Sequence, residues 1–146
     1  MRLAALLVAI LTASPLSAVD QFTPPAEVRE ALYFYSAEQG IPIYIATGLL
    51  WSESGGHRYA VNKTSKGYWQ LNAVWHDDFA LRFNRGRQFD EFDPVASTRV
   101  ALRYLGALHR RFGKWVAAIA YYKTGSVTPA GKFVALARKI VRGEIF

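Results

Sequence analysis

Glu53 is the residue whose surroundings are best suited to proton transfer. It follows an apolar run over residues 41–51, and Gly55 and Gly56 come two and three residues after it. Apolar neighbours raise the free energy of an ionised carboxylate, which raises its pKa and lets it hold a proton near neutral pH. The glycines end the preceding element and leave space for a ligand. We interpret Glu53 as a general acid/base, although the pattern also suits the first polar residue after a buried helix.

Helix signals occur along the chain on both sides of Glu53. A capping residue before proline marks a helix start, and glycine marks a helix end. The predicted helix starts are Thr23-Pro24-Pro25, Ile41-Pro42, Asp93-Pro94, Lys114 and Thr128-Pro129. Gly40 and Gly113 are predicted helix ends. The second helix runs to about Ser54 and is apolar on every side, so we expect it to be central and buried.

The segment that follows Glu53 is rich in turn residues. Residues 57–72 predict a loop or short β-hairpin, with a brief strand at 68–71. Asn72 is expected to cap a short helix that reaches about Phe83. The chain shows no internal repeat and no sign of a second domain. We therefore predict a single domain, and the helix signals make its fold class mainly α.

Composition limits the classes of function. The 146 residues are 51% apolar and carry a formal charge of +7, which favours an anionic partner such as nucleic acid, acidic lipid or an anionic envelope polymer. The absence of cysteine excludes disulfides, thiolate metal sites and a cysteine nucleophile. The histidines are His57, His76 and His109, and their spacing matches no metal motif. We therefore expect neither a metal nor another cofactor.

The first eighteen residues resemble an export signal. A short basic start precedes an apolar run over residues 3–13, and small residues follow up to Ala18. We predict cleavage after Ala18, which leaves a mature domain over residues 19–146; the alternative is an uncleaved membrane anchor. Export argues against a nucleic-acid partner and predicts a periplasmic or secreted protein without stable membrane insertion.

Several motifs occur in a characteristic order. They are Glu53-Ser54, then Gly67-Tyr68-Trp69-Gln70-Leu71, and then Tyr121-Tyr122-Lys123-Thr124-Gly125. In this order and spacing, residues 26–142 resemble the soluble lytic transglycosylase domain. That resemblance implies a lysozyme-like, α-helical fold that cleaves the glycan strands of peptidoglycan.

The resemblance also implies site residues. Glu53 would be the only catalytic acid/base, and the substrate-binding residues would be Ser54, Trp69, Gln70, Tyr121 and Tyr122. The chain departs from the family pattern at three positions. Trp69 replaces a methionine, Lys123 replaces an asparagine, and Phe133 stands where a tyrosine is common.

Two alternatives to a transglycosylase follow from the same residues. A muramidase would hydrolyse the same bond with a second acid, for which the candidates are Asp77, Asp78, Glu91 and Asp93. A non-catalytic wall-binding or assembly protein on the same fold is suggested by the three departures. The sequence does not identify the envelope partner that such an assembly protein would bind.

Overall fold

Helix α2 (Ile43–Ser54) lies at the centre of the fold and carries Glu53 near its last residue. The computed structural model describes residues 22–145. The other helices are α1 (Ala26–Gln39), α3 (His76–Phe83), α4 (Pro94–Phe112), α5 (Trp115–Thr124) and α6 (Gly131–Val141). The proposed signal segment, residues 1–18, lies outside the described residues. The expected mainly α fold is confirmed.

A small antiparallel sheet and one 3-10 turn connect α2 to α3. The strands are β1 (Val61–Asn62), β2 (Ser65–Lys66) and β3 (Leu71–Asn72), in the order β1-β2-β3. The 3-10 turn (Ala73–Trp75) follows β3 directly, and the side chain of Asn72 accepts a hydrogen bond from the backbone N–H of Val74 at 3.0 Å. This confirms the hairpin region and a cap at Asn72, but Asn72 caps the 3-10 turn rather than α3, which begins at His76.

The core includes one face of α2, which packs against α1 and α6. On the other face Tyr44 and Trp51 are 39% and 41% exposed, so α2 is less buried than its apolar sequence predicted. Ile45, Leu49 and Leu50 are fully buried. Gly48 lets α6 approach closely, since a Cβ added there would lie 3.1 Å from Cγ2 of Ile140. The long helix α4 packs against α1, α3 and α5. No helix between residues 22 and 145 is long and apolar enough to cross a bilayer.

The capping signals located most helix boundaries. Gly40, Gly55 and Gly113 take left-handed conformations directly after α1, α2 and α4. Asp93 caps α4 through Oδ1, which accepts a hydrogen bond from the backbone N–H of Ala96 at 2.6 Å. Helix α2 therefore ends where the sequence predicted, immediately after Glu53.

Three local predictions were wrong. Residues 68–70 form a turn rather than a strand, because Gly67 and Gln70 have φ of 78° and 47°, and only Leu71 and Asn72 pair as β3. Thr23 does not cap α1, whose preceding residue is Pro25. Helix α6 begins at Gly131 rather than at Thr128, whose backbone N–H donates to the Ser126 hydroxyl in a local turn.

Gly67→Ala is expected to destabilise the fold more than another substitution of a left-handed glycine. Its Cβ would lie 2.1 Å from the backbone oxygen of Glu91, in addition to the left-handed penalty. We expect a loss of about 2–4 kcal/mol in the free energy of unfolding, measured by urea denaturation. Gly113→Ala is the matched control, because its φ is 69° and nothing lies within 4 Å of its added Cβ. Equal losses in the two variants would contradict the close approach at Gly67.

Candidate active site

Glu53 lines a cleft of about 440 Å³. Every described element except α1 contributes at least one lining residue to this cleft. The Glu53 side chain is only 11% exposed, since α2 delivers it from the core and Gly55 turns the chain away immediately afterwards. The carboxylate is thus shielded from bulk water and open to a ligand in the cleft.

Lys123, on α5, forms an ion pair with Glu53 inside this cleft. Its Nζ contacts Oε1 of Glu53 and also donates a hydrogen bond to Ser52 Oγ at 3.1 Å. The Lys123 side chain is 8% exposed, so both charges are largely withdrawn from water. The residue that replaces the family's asparagine therefore contacts the candidate catalytic acid directly.

Two opposing effects act on the Glu53 carboxyl. Burial raises the pKa of Glu53 above its ordinary value, and the Lys123 ammonium opposes that rise through its charge and its hydrogen bond. Burial is the larger effect. The raised pKa agrees with the desolvation expected from the apolar run, and it favours a proton on the carboxyl at higher pH than for an exposed glutamate.

Tyr122 connects α5 to the turn before β3. Its hydroxyl donates a hydrogen bond to the backbone oxygen of Trp69 at 2.9 Å. Burial raises the pKa of Tyr122 well above its usual value, and the charge of Glu53 raises it further. The phenol therefore stays neutral and acts as a hydrogen-bond donor beside the acid.

Gln70 is held in a left-handed conformation that places it in the cleft lining. Its Nε2 donates to the backbone oxygens of Ala60 at 3.1 Å and Gly67 at 2.9 Å. These two bonds fix the amide group. Gln70 Oε1 has no hydrogen-bond partner among residues 22–145, which leaves it available to accept a bond from a ligand hydroxyl.

The family profile described as Transglycosylase SLT domain matches residues 31–133, well over half of the chain. The chain belongs to this family. The SLT family consists of lytic transglycosylases, which are glycan-cleaving lyases that act on peptidoglycan in the cell envelope. The matched range includes every residue that lines the cleft of this SLT domain. No curated protein and no solved structure matches the chain.

Three of the residues expected to bind substrate lie away from the cleft of this SLT domain. Trp69 is fully buried, and its indole N–H donates to Thr98 Oγ1 at 2.9 Å, so its ring has no exposed face for a sugar. Tyr121 packs against Phe112 and lines a neighbouring cavity rather than the cleft itself. Ser54 donates its hydroxyl hydrogen to the backbone oxygen of Leu50 at 3.3 Å, and its neighbour Ser52 lines the cleft instead.

Trp75 is a cleft residue that the sequence did not identify as a site residue. It is 58% exposed on the 3-10 turn and lines both the cleft and an adjoining cavity of about 330 Å³. Phe79 and Tyr104 line both cavities as well, so the two cavities adjoin, and together we call them the active-site groove. Periodicity carries no signal for Trp75, because its three-residue turn is too short to show which face is buried.

The four candidate second acids all have other partners in this SLT domain. Asp93 caps α4, and Glu91 pairs with His76 Nδ1 at 2.8 Å. Asp78 pairs with Arg82 at 3.4 Å, and Asp77 accepts a hydrogen bond from the Gln88 side chain. Among residues 22–145, Glu53 is the only carboxylate that lines the 440 Å³ cleft. The same part of the chain contains no cluster of side chains able to hold a metal ion.

Proposed function

We propose that this SLT domain is a lytic transglycosylase in which Glu53 is the single general acid/base. It would cleave the bond between N-acetylmuramic acid and N-acetylglucosamine and leave 1,6-anhydromuramic acid ends. The observation that carries this proposal is the cleft itself, where one desolvated carboxyl stands without a second acid among the described residues. A hydrolase of the lysozyme type uses two carboxylates, whereas intramolecular closure needs only one.

The first step would be proton transfer from Glu53 to the glycosidic oxygen. The C1–O bond breaks, the N-acetylglucosamine hydroxyl leaves with that proton, and the substrate's own acetamido oxygen stabilises the cationic C1. Glu53 is then ionised, and Lys123 lies in contact with it to stabilise that charge.

The second step would use the same carboxylate as a base. Glu53 takes the proton from the muramoyl 6-hydroxyl as that oxygen bonds to C1, which closes the anhydro ring and returns Glu53 to its starting state. No water is consumed. Gln70 and Tyr122 would support both steps, Gln70 by accepting from a sugar hydroxyl and Tyr122 by holding the turn at Trp69 in place.

The exposed ring of Trp75 would provide a stacking face for a sugar in place of Trp69, which the resemblance had implied as a substrate-binding residue. Aromatic rings along a groove commonly bind the apolar faces of sugars, and Trp75 lies where the two cavities join. Arg82 and Arg111 line the adjoining cavity of about 330 Å³, where they would interact with acidic groups of the wall polymer. The export signal at residues 1–18 and a periplasmic or secreted location belong to the same proposal.

Analysis of digestion products separates the proposed reaction from its alternatives. Residues 19–146 would be incubated with purified peptidoglycan in ¹⁸O-labelled water, and the products examined by mass spectrometry. A lytic transglycosylase gives anhydro ends without label, whereas a muramidase gives reducing ends that carry ¹⁸O. Labelled reducing ends would favour hydrolysis assisted by a second acid such as Asp78, which lines the adjoining cavity. Absence of any digestion would favour a wall-binding protein.

A further inference from the structure

A second charged cavity lies apart from the active-site groove. It has a volume of about 240 Å³ and is formed by α1, the turn after α3, and α4. Its lining residues, which we call the arginine pocket, are Tyr35, Asn84, Arg85, Arg87, Arg99 and Arg103. The arginine pocket shares no lining residue with the cleft or with the adjoining cavity. The proposed reaction gives this pocket no role.

Asn84 organises the arginine pocket from its buried base. It is 5% exposed, and its Oδ1 accepts a hydrogen bond from Arg99 Nε at 2.7 Å. Its Nδ2 donates to the backbone oxygen of Arg87 at 2.7 Å, which closes the turn. Arg85, within that turn, has φ of 55°, a conformation that costs free energy in a residue other than glycine. One guanidinium and the turn that carries two others are therefore held in defined positions.

The positive charge of the arginine pocket exceeds its negative charge. Glu38 supplies a compensating negative charge, and both of its carboxylate oxygens accept hydrogen bonds from Arg103, at 2.8 and 2.9 Å. The hydrogen bond from Arg103 lowers the pKa of Glu38, so that pair is fully ionised. Arg85 and Arg87 have no side-chain hydrogen bond or ion pair with any other residue in 22–145, and Arg99 is bound only to neutral groups. The charge of Arg85 also lowers the pKa of Glu38, but Arg85, Arg87 and Arg99 have no carboxylate in contact among residues 22–145.

Like charges held together in a concave site destabilise the fold by mutual repulsion, unless an anion occupies the site. Guanidinium groups present forked N–H donors that match the oxygens of phosphate. A multiply charged group balances three guanidinium charges better than one carboxylate does. We propose that the arginine pocket is a binding site for a phosphoryl group, supplied by a soluble phosphate ester or by a lipid headgroup.

The test compares two double variants that remove the same charge from different places. Arg85→Ala/Arg87→Ala empties one side of the pocket without disturbing Asn84, Arg99 or Arg103. Arg138→Ala/Lys139→Ala removes two exposed charges of α6 that have no side-chain partner among the described residues. Inorganic pyrophosphate is titrated into each protein by calorimetry. We expect the pocket variant to lose about tenfold or more in affinity and the control to match the unchanged chain, because the lost contacts are charge-assisted.

Vesicles identify which source supplies the group. A lipid headgroup is indicated if the protein sediments with phosphatidylglycerol vesicles but not with phosphatidylcholine vesicles. The pocket variant, unlike the control variant, should then lose this vesicle binding. Pyrophosphate binding without vesicle binding would indicate a soluble ester. The proposal is overturned if the unchanged chain binds neither probe, or if both double variants lose affinity equally, since that result reflects net charge alone. Peptidoglycan digestion is measured separately, because this proposal does not depend on Glu53.

Discussion

Glu53→Gln is expected to lower the rate of peptidoglycan cleavage by about 10²–10⁴-fold. Glutamine has nearly the same shape but carries no transferable proton, so neither the departure of the leaving group nor the activation of the 6-hydroxyl is assisted. Because Glu53 is proposed to act in both steps, no other group in the cleft replaces it. Release of anhydro products from peptidoglycan, quantified by mass spectrometry, is the measurement.

Controls for Glu53→Gln address the second acid and the fold. Asp78→Asn and Asp77→Asn remove the carboxylates of α3 and are expected to leave the rate within about twofold, since their surface contacts contribute little. Removing one partner of a buried ion pair typically costs about 3–5 kcal/mol, so Glu53→Gln alone also risks unfolding. The double variant Glu53→Gln/Lys123→Asn removes both charges and separates lost chemistry from lost stability. Full activity in a folded Glu53→Gln protein would rule out the proposed reaction.

The sequence predicted those features that depend on neighbouring residues. The end of α2 could be placed because Gly55 and Gly56 interrupt an apolar run, and the shielded position of Glu53 follows from that run. The start of α4 could be placed because Asp93 precedes a proline and its side chain reaches the first turn. Such signals depend on residues within one helical turn of each other, so they can be recognised in the sequence alone.

Features that depend on distant residues were outside the reach of the sequence. Lys123 contacts Glu53 although the two residues are 70 positions apart in the sequence, and no local sequence pattern predicts that contact. Trp69 lies in a turn and Trp75 in a three-residue 3-10 turn, and both segments are too short for a period of 3.6 or of 2 to show which face is buried. Trp69 became buried because Thr98, on α4, supplies an acceptor for its indole N–H, while Trp75 stayed exposed on a short turn. The motif order could locate the cleft, but only tertiary packing decides which ring enters it.

Lys123→Asn is expected to shift the alkaline limb of the pH–activity profile to higher pH. The acid must be protonated in the free enzyme, so kcat/KM falls as pH rises through the pKa of Glu53. Burial raises that pKa, and Lys123 opposes the rise. Asparagine carries no charge and restores the residue usual in the family, so the pKa of Glu53 rises further and the protonated acid persists to higher pH. On that limb, each pH unit of displacement corresponds to about tenfold in activity.

The control for Lys123→Asn is Lys139→Asn, an exposed position of α6 that loses the same charge away from the cleft. It is expected to leave the limb in place, which separates contact with Glu53 from a general change in net charge. An alkaline limb that stays fixed or moves to lower pH in Lys123→Asn would contradict the ion pair as the cause. Loss of activity at every pH would instead make Lys123 necessary for the reaction, because the ammonium would then be required after Glu53 has given up its proton. The pH profile thus distinguishes a lysine that only restrains the acid from one that also stabilises its ionised form during the reaction.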